Sequence, residues 1–359
     1  MAQPLKDMIN RESVGVLAGG LAAAHPAFPG DRFVAAALAG LDGLELKDRV
    51  RRVSAALHET LALPFPRAAA VLREAAGRAA RDGARLDMWS GWPATDYVGA
   101  YGTDHLDEGL ATLAVLTPYA TGEFAVRPFL DRYEAAALAV MAGWAESPDE
   151  HLRRLASEGS RPRLPWAPRV RWLMEPGPTF PILARLRDDP SEYVRRSVAN
   201  HVNDIAKDHP ETALELLASW RAEGGTHVGR VVRHAARGLV RAGRPEALAL
   251  LGAEPGNGSV DSLTVDAVVA VGARLPLTVT VRATAPGPLV LKYAVRRDGS
   301  RRVFHLGERE ATAAGQTFTV RRSHSFRPVT TRVEPPGPRE LDVIVNGEVR
   351  ATAAFTLTG

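Results

Sequence analysis

The chain repeats itself. A Pro-marked turn at Ser147-Pro148-Asp149 leads into Leu152-Arg153-Arg154, and a second at Asp189-Pro190-Ser191 leads into Val194-Arg195-Arg196. Superposing the two Arg-Arg pairs gives an offset of 42, and superposing Val194-Arg195 on Val232-Arg233 gives 38. A period near 40 built from helical units predicts HEAT-like helix pairs. Such a unit cannot bury its apolar face alone, so units must stack, and their second helices line a concave face where binding occurs. The Pro-rich residues 161–181 lengthen one unit and are expected at the rim of that face.

Helical spacing of apolar residues continues toward the N-terminus, over residues 11–21 and 33–39. Leu46, Val50, Val53 and Leu57 share one face of an amphipathic segment. Residues 135–144 read as a core-facing helix. Composition turns to linker at 251–259, and alternation of period two then takes over. Residues 263–269, 275–281, 289–295, 317–320, 341–345 and 354–357 read as strands, and Asn346-Gly347 as a hairpin turn. The fold expected is mainly α. A HEAT-like helical-repeat solenoid over 1–254 is followed by an all-β immunoglobulin-like sandwich over 259–359.

The chain has no Cys, which excludes disulfides, thiolate-held metal and thiol catalysis. His201, His209, His227 and His234 lack metal-ligand spacing, and there is no P-loop, dinucleotide fingerprint or nucleophile elbow. No metal or cofactor is therefore expected. No apolar run approaches the roughly 18 residues that span a bilayer. The N-terminus lacks the regions of a signal peptide. These features predict a cytoplasmic protein with no membrane partner. The net charge of +4 is uneven, since residues 259–359 carry 14 basic and 9 acidic side chains. A basic appendage on a near-neutral body suggests a polyanion partner.

Arg196, Asn200 and Asp204 are spaced four apart along one helix face, and Arg154 and Glu158 form the equivalent pair one repeat earlier. Arg230, Arg233, Arg237 and Arg241 form a basic stripe on the next helix. Singly, these are ordinary solvated pairs. Stacked in register, they form a groove suited to phosphates. Glu123, Glu158 and Asp204 are placed on successive second helices. Acid in a basic groove is costly unless it meets a cation, and an alkylated base is one. Its glycosidic bond is already weakened, because the base leaves neutral. Carboxylates stabilise the oxocarbenium-like sugar and orient water. Trp166, between Pro165 and Pro168, and Trp144 are candidates to stack on sugar or base.

Residues 123–129, 153–166 and 194–204, with Pro4-Leu5-Lys6-Asp7 and residues 232–237, resemble the AlkC branch of the AlkC/AlkD DNA alkylation-repair glycosylases. The match covers about residues 1–252. In the sandwich, His324-Ser325-Phe326-Arg327 and Thr330-Thr331-Arg332 resemble the immunoglobulin-like module of some AlkC proteins. A departure is Glu334-Pro335-Pro336-Gly337, where an aromatic-Pro-Gly turn is expected. The resemblance implies a monofunctional, monomeric glycosylase. It would excise cationic 3-methyladenine and 3-methylcytosine from damaged duplex DNA in base excision repair, without base flipping and on the bacterial nucleoid. Glu123 and Asp204 match the family's active-site carboxylates, and Glu158, Arg154, Arg161 and Trp166 match the surrounding site. Phosphate contacts are expected from Arg154, Arg161, Arg195, Arg196, Arg233, Arg237, Arg327 and Arg332, with Asn200 in the same groove. The competing reading is a non-catalytic HEAT-repeat scaffold for DNA or protein, which needs no line of carboxylates. A carbohydrate-binding sandwich has only the fold class behind it.

Overall fold

A computed structural model describes residues 4–82, 86–328 and 334–359. Among them, helices from Arg11–Ala24 to Pro245–Leu250 precede eight strands. The helix Leu46–Leu61 buries Val50, Val53 and Leu57 on the face that the sequence pattern marks. The helix Met88–Tyr101 starts at a capping box: Asp87 accepts from the Trp89 and Ser90 amides, and the Ser90 hydroxyl accepts from the Asp87 amide. Residues 135–144 form the expected helix, Ala135–Trp144. The two repeat copies are the helices Glu150–Gly159 and Glu192–Asp208. No described helix is long and apolar enough to cross a membrane.

The first Arg of each repeat copy makes the same contact. Arg153 donates to the Ser147 and Pro148 carbonyls, six and five residues back. Arg195 donates to the Asp189 and Pro190 carbonyls at the same spacing. Each Arg thus fastens its helix to the Pro turn that precedes it. Proline ends the previous backbone run and leaves carbonyls without helical donors. The sequence reading gave Arg195 to phosphate, whereas in the structure it is buried and spent on those two carbonyls.

The strands are β1 (Ser259–Val265), β2 (Val268–Ala270), β3 (Arg274–Arg282), β4 (Gly287–Arg297), β5 (Ser300–Ala311), β6 (Thr317–Ser325), β7 (Gly337–Val345) and β8 (Glu348–Thr358). One sheet has the order β1-β3-β6, and the other β2-β8-β7-β4-β5. Pairing is antiparallel except between β2 and β8. Period-two burial along β3 places Leu275, Leu277, Val279 and Val281 in one core with Leu289, Leu291 and Val343. Asn346 and Gly347 both have positive φ and close the β7–β8 hairpin as expected. The run at 263–269 is split, because Asp266-Ala267 carries the chain from one sheet to the other. β5 escaped the sequence reading. It is an edge strand rich in Arg and Glu, and charge on an edge is protective there.

The chain packs as two compact units: residues 1–209 with 225–235, and residues 210–224 with 236–359. Within the second, buried Lys292 on β4 donates to the Val240 and Arg241 carbonyls, and Asn346 donates to the Glu254 and Pro288 carbonyls.

Candidate active site

The carboxylates singled out in the sequence come together on one line of alternating charge. Glu123 Oε2 lies 2.5 Å from Arg154 Nη1, and Arg154 Nη2 lies 3.6 Å from Glu158 Oε1. Arg161 continues the line, with Nη1 2.6 Å from Glu158 Oε1 and Nη2 2.7 Å from Asp204 Oδ2. Lys207 Nζ ends it, 2.8 Å from Asp204 Oδ1. Asp204, only 1 % exposed, is charge-matched on both oxygens.

Each member is held from behind. The helix Glu150–Gly159 carries Arg154 and Glu158 one turn apart. Ser197 from the second repeat copy donates to Glu158 Oε2 at 2.6 Å. Burial works against a charge on Glu158, but Arg154, Arg161 and that hydroxyl more than offset it and hold its pKa below the ordinary value. Arg161 is buried too. Burial weakens its charge, and Glu158 and Asp204 outweigh that and raise its pKa. Arg161 follows the helix end at Gly159, and its own carbonyl is clamped by Arg127. Glu123 differs from the expectation. It sits in the turn before the helix Arg127–Tyr133, because Pro128 starts that helix and leaves residues 123–126 outside it.

A cleft of about 290 Å³ opens beside Glu123 and Glu158. Its walls are mainly aromatic and apolar: Trp89, Trp92, Phe124 and Trp166, with Leu5 and Met88. Trp166 is 67 % exposed and has φ +65°, a left-handed backbone rare for a bulky residue. It is pinned on both sides. Lys47 donates to the Trp166 carbonyl at 2.5 Å, and Arg127 donates to the Pro168 carbonyl at 2.9 Å. Trp144, by contrast, is a core side chain and cannot stack on a ligand.

Arg127 is the residue the sequence reading missed most clearly. It is buried, and burial lowers its pKa to about 10. Its guanidinium donates to the carbonyls of Gly159, Arg161 and Pro168, and so shapes the insert that presents Arg161 and Trp166. The signal was its place directly before Pro128. Trp89, Trp92 and Arg49, which donates to the Lys6 and Ile9 carbonyls, were not singled out in the sequence either.

The remaining candidates lie outside the line. Arg196 is exposed, pairs with Glu192 and lines a groove of about 180 Å³ with Arg230 and His234. Asn200 is half-buried, one turn before Asp204. On the helix Val228–Ala242, Arg230, Arg233 and Arg241 are exposed and Arg237 is half-buried. Arg327 is exposed just after β6, and Arg332 lies outside the described residues. Among the described residues, no group of three His, Cys, Asp or Glu is placed to hold a metal ion.

A family model described as "Uncharacterised protein YhaZ, C-terminal Ig-like domain" matches residues 259–359. The uncharacterized protein YhaZ of Bacillus subtilis (strain 168) is 35% identical over 366 residues, with 98% of each chain covered. The alkylpurine DNA glycosylase AlkC of Pseudomonas fluorescens, solved bound to DNA containing an abasic site analog, is 37% identical. It superposes with a TM-score of 0.83 over 99% of this chain and 100% of its own. A likeness of that identity over the whole length, helices and sandwich together, shows that the chain belongs to the AlkC branch of the AlkC/AlkD DNA alkylation-repair glycosylases.

Proposed function

We propose that this chain hydrolyses the N-glycosidic bond of cationic N3-alkylated bases, 3-methyladenine and 3-methylcytosine, in duplex DNA. The observation that carries the reading is the line Glu123–Arg154–Glu158–Arg161–Asp204 beside an aromatic cleft. Carboxylates paired with arginines at such a cleft suit a reaction that develops positive charge on the sugar. The bond from C1′ to the base nitrogen breaks, and its electron pair neutralises the departing base. A water oxygen then bonds to C1′, and its proton passes to a carboxylate. Glu123 and Glu158 face the cleft and are assigned the sugar and the water, while Asp204 holds Arg161 in place.

The lesion is reached without base flipping. In support, the cleft is open and the tryptophan at its mouth is exposed, whereas a flipped base needs an enclosing pocket. Phosphates are gripped by Arg196, Arg233 and Arg237 from the helical body and by Arg327 from the sandwich. Arg161 is committed to two carboxylates and Arg195 to two carbonyls, so neither is kept in that set. The chain works as a monomer in the cytoplasm.

The test is release of free base from methylated duplex DNA by the full chain, read for both lesions. Release of 3-methyladenine or 3-methylcytosine above the spontaneous rate is expected. Tight DNA binding with no release would instead establish a non-catalytic scaffold.

A further inference from the structure

Two apolar side chains stand in the open at the cleft. Among the described residues of the first compact unit, Trp166 and Leu5 are the most exposed large apolar side chains, at 67 % and 57 %, and the next, Val16, reaches 40 %. A single exposed leucine is ordinary on a protein surface. Here, however, both side chains line the one cleft that also takes in Glu123 and Glu158.

The turn that bears Leu5 is the 3-10 helix Leu5–Met8, and none of its four residues is buried. A turn that short does little to hold itself. It is fastened from the helix Leu46–Leu61. Arg49 of that helix is buried, and its Nη1 donates to the Lys6 carbonyl at 2.9 Å and to the Ile9 carbonyl at 3.2 Å. Its Nη2 lies 3.3 Å from Asp7 Oδ1. Lys6 pairs with Glu45 at 2.7 Å, and the Asn10 side-chain amide donates to the Asp7 carbonyl at 2.9 Å. Burying a guanidinium is costly unless it is well partnered. This one fixes a stretch of backbone whose apolar side chain stays uncovered. In a duplex that keeps its bases stacked, phosphates are charged, base edges are polar and base faces cover one another. The deoxyribose is the part that offers C–H surface to an aliphatic side chain.

We propose that Leu5 packs on the deoxyribose of the damaged nucleotide, and that Arg49 and the turn at Pro4-Leu5-Lys6-Asp7 are the strut that presents it. The inference rests on the glycosylase reading. It adds a substrate-binding residue that leaves the base in the stack. A contact to the sugar is also blind to which base is damaged.

Two measurements on the full chain test it. The first is binding, by fluorescence anisotropy at fixed salt, to an intact duplex and to one with tetrahydrofuran in place of a single nucleotide. Leu5→Gln is expected to weaken binding to the tetrahydrofuran duplex about tenfold, as loss of part of a buried leucine contact predicts, and to leave the intact duplex unchanged. Leu5→Met should match the parent. The melting temperature should not move, because Leu5 is more than half exposed in the free protein. Equal affinity of parent and Leu5→Gln for the tetrahydrofuran duplex overturns the proposal. So does an equal loss on both duplexes, which marks a general grip on DNA, or a loss that comes with a lower melting temperature, which marks a role in the fold. The second is single-turnover release of 3-methyladenine and 3-methylcytosine. Leu5→Gln should slow both by the same factor, and Leu5→Met should restore both. A loss confined to one lesion overturns the sugar contact. If the parent releases no base at all, the glycosylase reading fails, while the binding measurement still decides on Leu5.

Discussion

Asp204 shows how far one side chain's role depends on its neighbours. Its carboxylate is almost wholly buried, yet both oxygens are satisfied by Arg161 and Lys207. Asp204→Asn should keep the fold and DNA binding but lower base release by about two orders of magnitude or more. Full activity in that variant at matched salt would remove Asp204 from the mechanism. Arg161→Met is a different experiment, because it strands Glu158 and Asp204 without their shared cation. Removing one partner of a buried pair costs about 3–5 kcal/mol, so the melting temperature should fall sharply. His201 adds a pH dependence. Burial lowers its pKa from 6.5 to about 4, and its Nδ1 sits 2.9 Å from the Ser157 carbonyl. The unfolded imidazole takes a proton near 6.5 and the folded one only near 4, so the unfolded state binds more protons between those values. Stability is complete above that window and falls as pH drops through it, by roughly 1.4 kcal/mol per unit. Urea unfolding across pH 4–7 should show this slope, and His201→Gln should flatten it. Glu158 acts lower, since its pKa is depressed from 4.5. Its contribution is present above that value and is lost as pH falls through the folded pKa.

At the level of elements, the sequence marked the repeat helices, because helical spacing fixes which residues share a face, but it put Glu123 on a helix where the structure has a turn. It also placed Arg154 and Glu158 together. It gave Arg195 to phosphate, because a fastening to carbonyls five and six residues back leaves no trace in charge patterning. It missed the aromatic cleft because Trp89 and Trp92 come from a helix far along the chain from Trp166, and only packing joins them. One such packing point can be probed directly. A Cβ on Gly99 would stand 2.9 Å from Ala125 Cα and 3.0 Å from its carbonyl oxygen, and backbone yields little. Gly99→Ala should therefore cost about 1–3 kcal/mol and push the turn bearing Glu123 away from Arg154. A variant as stable and as active as the parent would show that this turn tolerates movement.

At the level of the whole molecule, the sequence boundary and the packing boundary differ. The composition changes at 251–259, and the family model begins at 259. The compact unit that holds the sandwich also takes in residues 210–224 and 236–258. We propose that the sandwich is a module by descent that has become the packing partner of these helices. Gly347 packs a Cβ-width from Leu248, and Lys292 draws on the carbonyls of Val240 and Arg241. A chain ending at residue 258 should lose amide-exchange protection over 236–251 while residues 46–208 keep theirs. Unchanged protection over 236–251 would show that these helices stand without the sandwich.

The fastening of Arg153 and Arg195 to their own Pro turns has a consequence for how such an array is built. Each of these carbonyl contacts lies within the copy that carries it, and Arg153 also reaches Asp189 at the start of the next copy, with Nε 2.7 Å from Oδ2. The neighbouring position is then released from that duty. In one copy Arg154 is enclosed beside Glu123, and in the other Arg196 faces solvent beside Glu192, so one kind of fastening supports two different surroundings for the next side chain.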